Sequence, residues 1–186
     1  ARGLMKKCIV VLPNTNQYKD DKDFGNSRAK GALESFFENN GAVEYSFVAD
    51  VVAEVDRRYR TIDKKSGRAI AGLSIGALQA IHITASHPYI FDYIGLFSAG
   101  LNMSTVNFDI PAYSNMTGKL SDLDKAGYKL YWIACGTDDF LYQNNLDFMK
   151  TLDEIDFEYT YHESDRGHIW ANWRQYLLLF TPMLFK

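Results

Sequence analysis

Arg68-Ala69-Ile70-Ala71-Gly72-Leu73-Ser74-Ile75-Gly76-Ala77-Leu78-Gln79-Ala80 is the stretch on which the reading of this chain turns. A short apolar run stops at Gly72, the chain turns sharply at Ser74, and a segment rich in Ala, Leu and Ile restarts as a helix. Within it, Gly72-Leu73-Ser74-Ile75-Gly76 matches G-x-S-x-G, the pattern of a serine held at the tip of a strand-to-helix turn. Such a serine has a strained backbone, so the positions two before and two after it are expected to be small, and glycine supplies that room. Five residues alone also fit an ordinary loop. The strand before and the helix after are what give the pattern its meaning.

Upstream, Lys7 to Leu12 is a continuous apolar run ended by Pro13-Asn14, which suits a parallel strand buried on both faces. Asn14 to Ser27 reads as a loop and Arg28 to Asn39 as a helix stopped before Gly41. Phe47, Val48, Val51, Val52, Val55 and Tyr59 recur at spacings of three and four and predict an amphipathic helix. Downstream, the helix from Ile75 must end near His87-Pro88, because proline disfavours the helical region for its predecessor. Strands are expected at Tyr93 to Ser98, Lys129 to Cys135 and Phe157 to His162. Helices are expected over Asn144 to Glu154 and at the end of the chain, where Trp170, Trp173, Leu177 and Phe180 mark one face. Leu101 to Gly118 loses periodicity and reads as a long functional loop or lid.

Alternating strands and helices, with each strand apolar throughout, predict an α/β fold: a mostly parallel sheet with helices on both faces. The length of 186 residues suits one domain. Aromatic residues make up 15% of the chain, which favours either a ring-lined pocket or a ring-rich core. A net charge of -3 lacks the basic footprint of a nucleic-acid binder. No apolar run approaches the length of a membrane span. Cys8 and Cys135 both fall in apolar runs and are expected to be buried thiols rather than a disulfide or metal site. Neither a cofactor nor a metal ion is expected.

Parallel α/β sheets bind ligands at the carboxyl ends of their strands. Ser74, Asp139 and His168 lie just past three such ends, and a sheet brings them together however far apart they are in sequence. Serine is a weak nucleophile until a base takes its proton. Histidine titrates near neutrality, and a carboxylate on its far ring nitrogen fixes the tautomer and stabilises the imidazolium. The chain order Ser, Asp, His is that of the α/β-hydrolase triad. His162, at the end of a strand, is the rival for the histidine, but Gly167-His168 lies in a turn, where a catalytic ring is better placed. Asp138 and Asp139 are adjacent, and spacing alone separates them poorly.

The chain resembles the esterase D-like α/β-hydrolases, most closely the feruloyl and acetylxylan esterase type of carbohydrate esterase family 1. The resemblance is carried by Ile9 to Asn16, Tyr59-Arg60-Thr61, Arg68 to Gly76, Ile133-Ala134-Cys135-Gly136-Thr137-Asp138-Asp139, and Gly167-His168 followed by Trp170 and Trp173-Arg174. It runs from the first strand to the last helix. In that family the turn reads Cys-Gly-Thr-x-Asp, which implies Asp139 as the acid and leaves Asp138 as the variable neighbour. It implies His168 as the base, Ser74 as the nucleophile and the backbone N-H of Ile75 as an oxyanion donor. Where the family usually has Met-Gly-Gly after the serine, this chain has Ile75-Gly76-Ala77, which keeps the N-H.

The larger departure is at the front. The family has further strands and a His-Gly-Gly-type loop that completes the oxyanion hole, and nothing before Lys7 corresponds to them. The expectation is therefore a single, N-terminally incomplete α/β-hydrolase domain over residues 1–186, with either a gap or a re-pairing between the strand at Ile9 to Leu12 and the strand at Arg68 to Leu73. Direct pairing of those two strands would count against a simple gap. The resemblance implies a secreted or cell-surface serine esterase acting on feruloyl or acetyl esters of xylan-type polysaccharide, with the carbohydrate ester as its partner. S-formylglutathione hydrolysis and acyl transfer between sugars are alternatives on the same fold. An inactive carbohydrate-binding or scaffold domain is the alternative outside enzymes.

Overall fold

The computed structural model describes residues 5–13, 41–99 and 110–186. The loop from Asn14 and the helix expected over Arg28 to Asn39 lie outside these residues, as does the first half of the expected lid. Helix α1 (Ala42–Phe47) runs through a π-helical turn (Val48–Val52) into α2 (Ala53–Arg58). This is the expected amphipathic helix, begun earlier, with Gly41 in the left-handed conformation as its N-cap. Then follow β1 (Ala69–Leu73), α3 (Ile75–Ser86), β2 (Tyr93–Phe97), α4 (Met116–Ala126), β3 (Leu130–Gly136), α5 (Tyr142–Asp153), β4 (Thr160–Ser164) and α6 (Trp170–Phe180).

The four strands form one sheet in the order β1-β2-β3-β4, and every pairing is parallel. All four carboxyl ends therefore open on the same edge. Alternation of side chains along the strands divides the core between the two faces. On β2, Ile94 and Leu96 face α3, α4 and α5, packing with Ile81, Leu120 and Leu152. Tyr93 and Phe97 face the other way, against Trp173, Tyr176 and Phe180 of α6. Gly95 belongs to that second face, where a Cβ would come within 2.8 Å of the Phe180 ring.

The expected both-face burial holds for β2 and, but for its first residue, β3, while β1 and β4 at the edges of this sheet are only partly covered. Five sequence-based expectations need correction. Ile9 to Leu12 is not a strand: it runs without regular structure and is exposed, Leu12 by 90%. Among the described residues nothing pairs with its ladder, and an apolar run without such a partner has nothing to hold it extended as a strand. Cys8 goes with it and is exposed, whereas Cys135 on β3 is buried as expected, both as free thiols.

The end of the expected lid is helical from Met116, because Met116, Leu120 and Leu123 recur at helical spacing and are buried on one face of α4. The last strand starts at Thr160 rather than Phe157, since Phe157 is used to stack on Tyr128 and abut Tyr131 below the sheet. In α6 the buried apolar stripe is Trp173, Tyr176 and Phe180, leaving Trp170 and Leu177 exposed.

Among the described residues no strand pairs with the free edge of β1. Between that edge and residues 6–13 lies an open cleft of about 970 Å³, floored by Phe47, Val51, Val52 and Val55. Among the described residues, Ile9 to Leu12 does not pair directly with β1.

Candidate active site

Ser74 occupies a single-residue turn between β1 and α3, with φ 53° and ψ -120°. A non-glycine residue at positive φ is strained and persists only where its surroundings over-determine it. Here its N-H donates to the Phe97 carbonyl at the end of β2 (2.9 Å), and its carbonyl accepts from Ala77 (3.0 Å) and Leu78 (3.1 Å). Close approach of strand and helix makes Gly72 obligatory, since a Cβ there would lie 2.6 Å from the Ala77 nitrogen and closer still to the Gly76 carbonyl. Gly76 differs from expectation: a Cβ at that position meets nothing within 4 Å. Only its backbone, not its missing side chain, is needed for the turn.

The acid and the base come from the ends of β3 and β4. Gly136 ends β3 against the backbone of Arg166, so closely that a Cβ would come within 2.7 Å of Asn172 Nδ2 and collide with the Arg166 carbonyl. The two exit loops are laced together by Thr137 N-H to the Ser164 carbonyl (2.9 Å) and Asp138 N-H to the Arg166 carbonyl (3.0 Å). From α6, the Asn172 amide donates to the carbonyls of Asp165 (2.9 Å) and Gly167 (3.1 Å), clamping the loop that carries His168. Asn172 is buried, and the sequence reading passed over it because an Asn inside an apolar helix carries no motif.

These constraints bring the three expected residues into one line. His168 Nε2 stands 2.9 Å from Ser74 Oγ, and His168 Nδ1 stands 3.0 Å from both carboxylate oxygens of Asp139. Nδ1-H donates to the carboxylate, which leaves Nε2 to accept the serine proton. The Asp139 carboxylate is buried and also accepts the Leu141 N-H (2.9 Å), so its orientation is set by more than the histidine. Asp138 points to solvent and His162 stacks on Trp132 away from this line, which separates both pairs of rivals. Ile75 opens α3, where first-turn N-H groups have no acceptor within the helix and the dipole favours negative charge.

Rings surround the imidazole. Trp173 meets His168 edge-on, with centroids 4.8 Å apart, and its Nε1-H donates to Ser98 Oγ (3.0 Å) at the end of β2. Phe140 packs on His168 at 4.5 Å. Neither ring was assigned to the site from sequence, although both sit within five residues of a triad candidate. The nearby Cys135 thiol is no rival nucleophile, because burial, reinforced by the Asp139 charge, pushes its pKa up to about 12. Among the described residues, no group of three or more His, Cys, Asp or Glu side chains is placed to hold a metal ion.

A parallel sheet with helices on both faces, a serine at a strained strand-to-helix turn and a Ser-His-Asp line at the strand ends define the α/β-hydrolase fold. Within that class, a model of the Esterase family matches residues 1–182, and the chain belongs to that family. It is 34% identical over 105 residues to an endo-1,4-beta-xylanase/feruloyl esterase of Xylanibacter ruminicola, over 55% of this chain and 13% of that protein. It is 35% identical over 54 residues to an acetyl esterase of Caldicellulosiruptor saccharolyticus, over 29% of this chain and 20% of that protein. The chain therefore spans a fifth or less of the curated relatives it matches. In structure it is similar to a ferulic acid esterase of the CE1 group from Anaeromyces mucronatus, with TM-score 0.71, 16% identity, and coverage of 98% of this chain and 66% of that one.

Proposed function

We propose that this chain carries the catalytic machinery of a serine esterase that transfers an acyl group to water, as part of a single α/β-hydrolase domain. The observation that carries the proposal is the unbroken line from Ser74 Oγ through His168 to the buried Asp139 carboxylate. His168 Nε2 takes the serine proton as Oγ bonds to the ester carbonyl carbon. The carbonyl electron pair moves onto oxygen, where the Ile75 N-H at the start of α3 meets it. Collapse expels the alcohol, which takes the proton from Nε2. Water then repeats the sequence on the acyl-serine and releases the acid. Asp139 holds the imidazole in the right tautomer and offsets its charge throughout.

For the substrate we favour a feruloyl or acetyl ester of a xylan-type polysaccharide. Family membership supports an ester, and the relatives named feruloyl esterase and acetyl esterase support these two acyl groups. Ser74→Ala is expected to lower hydrolysis of p-nitrophenyl acetate on the order of 10⁶-fold, the scale seen when a triad nucleophile is removed. It should also abolish labelling by a fluorophosphonate probe. Undiminished hydrolysis by Ser74→Ala would overturn the mechanism, and tight xylan binding by a wild-type protein that is never labelled would favour a binding module instead. Greater activity on S-formylglutathione than on methyl ferulate or acetylated xylan would move the substrate assignment.

A further inference from the structure

Of the three tryptophans in the chain, Trp132 and Trp173 are buried and Trp170 is 63% exposed. Phe140 is 71% exposed and Ile169 is 41% exposed. A single exposed apolar side chain is unremarkable on a protein surface. These three come from two different connections, the β3-α5 turn and the entry to α6, and both meet at His168. The rings form a continuous row: Phe140 to His168 at 4.5 Å, His168 to Trp173 at 4.8 Å, and Trp173 to Trp170 at 5.2 Å. The row begins and ends in solvent and passes through the imidazole that faces Ser74.

Resting on the esterase reading, we propose that Phe140 and Trp170 form a platform for the alcohol part of the substrate, and that this alcohol carries a sugar ring. Chemistry sets the direction. The leaving oxygen must come within hydrogen-bond reach of His168 Nε2 to receive its proton. The developing oxyanion is held instead at the start of α3. A group attached to the leaving oxygen therefore extends along the imidazole's outer edge, where the exposed rings lie.

A sugar suits an open platform of this kind. Its ring presents C-H faces to the faces of aromatic rings while its hydroxyl groups stay in water, so nothing polar need be desolvated. The rings are positioned before substrate arrives. Phe140 follows Asp139, whose carboxylate is bonded to the Leu141 N-H, and Trp170 lies edge-on to the buried Trp173. Little ordering cost remains on binding. The alcohol part of a methyl ester carries no ring to stack on the platform.

The test compares two esters of one acid, methyl ferulate and a feruloylated arabinoxylo-oligosaccharide, using the active protein and its Phe140→Ala and Trp170→Ala variants. The readout is the ratio of the two kcat/KM values, with fluorophosphonate labelling reporting the integrity of the triad. Loss of a stacking ring is expected to shift the ratio about tenfold against the oligosaccharide ester, mainly through KM. Phe140→Leu, which keeps an apolar contact on His168, should shift it in the same direction. An unchanged ratio overturns the platform, whether both activities fall together or neither falls. The platform is tested apart from the esterase reading by titrating Ser74→Ala with the unesterified oligosaccharide. A shift in tryptophan fluorescence that is lost with Trp170→Phe upholds the platform even if hydrolysis fails, and no shift at millimolar sugar counts against it.

Discussion

Replacing Gly72 and Gly76 one at a time by alanine separates two roles that the G-x-S-x-G pattern treats alike. At Gly72 the new methyl group would lie 2.6 Å from the Ala77 nitrogen, where ordinary contact begins near 3.4 Å, and it would press harder on the Gly76 carbonyl. The obstructing atoms are all backbone of the first turn of α3, so no side chain can rotate away. The end of β1 and the start of α3 must separate by roughly 1 Å, the scale of misplacement that costs about 100-fold in catalysis. Overpacking of this kind costs about 1–3 kcal/mol in stability, and rigid backbone places this site at the upper end. Gly76→Ala meets nothing within 4 Å and replaces a glycine inside α3, which should stabilise the helix by up to about 1 kcal/mol. Thermal unfolding and the rate of fluorophosphonate labelling read the two effects independently. Gly72→Ala should melt lower and label at least about 100-fold more slowly, while Gly76→Ala should melt at or above wild type. A Gly72→Ala protein that labels at the wild-type rate would refute the close-approach account of the turn.

Two further perturbations test the surroundings of the site. Asp139→Asn keeps the shape of the residue but presents an amide to Nδ1, favouring the wrong imidazole tautomer. The kcat for p-nitrophenyl acetate is expected to fall about 10⁴-fold, with little change in melting temperature. Away from the site, His82 is buried in α3 beside Met116 Sδ (3.2 Å) and the Tyr113 ring. Burial, with the Lys119 charge adding to it, lowers its pKa from 6.5 to about 3, so it is neutral in the native state. The unfolded chain binds the extra proton below pH 6.5, and stability is therefore present above that value and lost as pH falls toward 3. Between pH 7 and pH 5 the loss from this group is about 2 kcal/mol, measurable by urea unfolding. The pH dependence should flatten by that amount in His82→Asn, and an equal slope in that variant would count against His82 as its source.

Much of the fold was legible because the two central strands are apolar on both faces and the segments between them carry helical spacing. Short-range chemistry also decided the turn at Ser74: strand, glycine, serine and helix follow one another, and the strain is local. The triad candidates could be named for the same reason, since a parallel sheet gathers strand ends on one edge. Ile9 to Leu12 shows where this logic stops. An apolar run becomes a strand only when another backbone takes up its hydrogen bonds, and the neighbour is not encoded in the run. Phe157 and Trp170 make the same point for side chains, one drawn under the sheet by Tyr128 and Tyr131, the other left in solvent beside Trp173.

By itself, the sequence determined the α/β class, the turn at Ser74 and the residue types able to activate a serine there, because each depends on neighbours within a few positions. The turn position and the family resemblance already favoured His168 and Asp139; tertiary structure alone put Asp139 against the imidazole, His168 Nε2 against Ser74 Oγ, and a close backbone approach at Gly72 but not at Gly76. It also decided that Phe140 packs on the imidazole and that Trp170 stays exposed beside Trp173. Each of those outcomes depends on which backbone lies across the gap from the residue, a distance that spacing along the chain does not record.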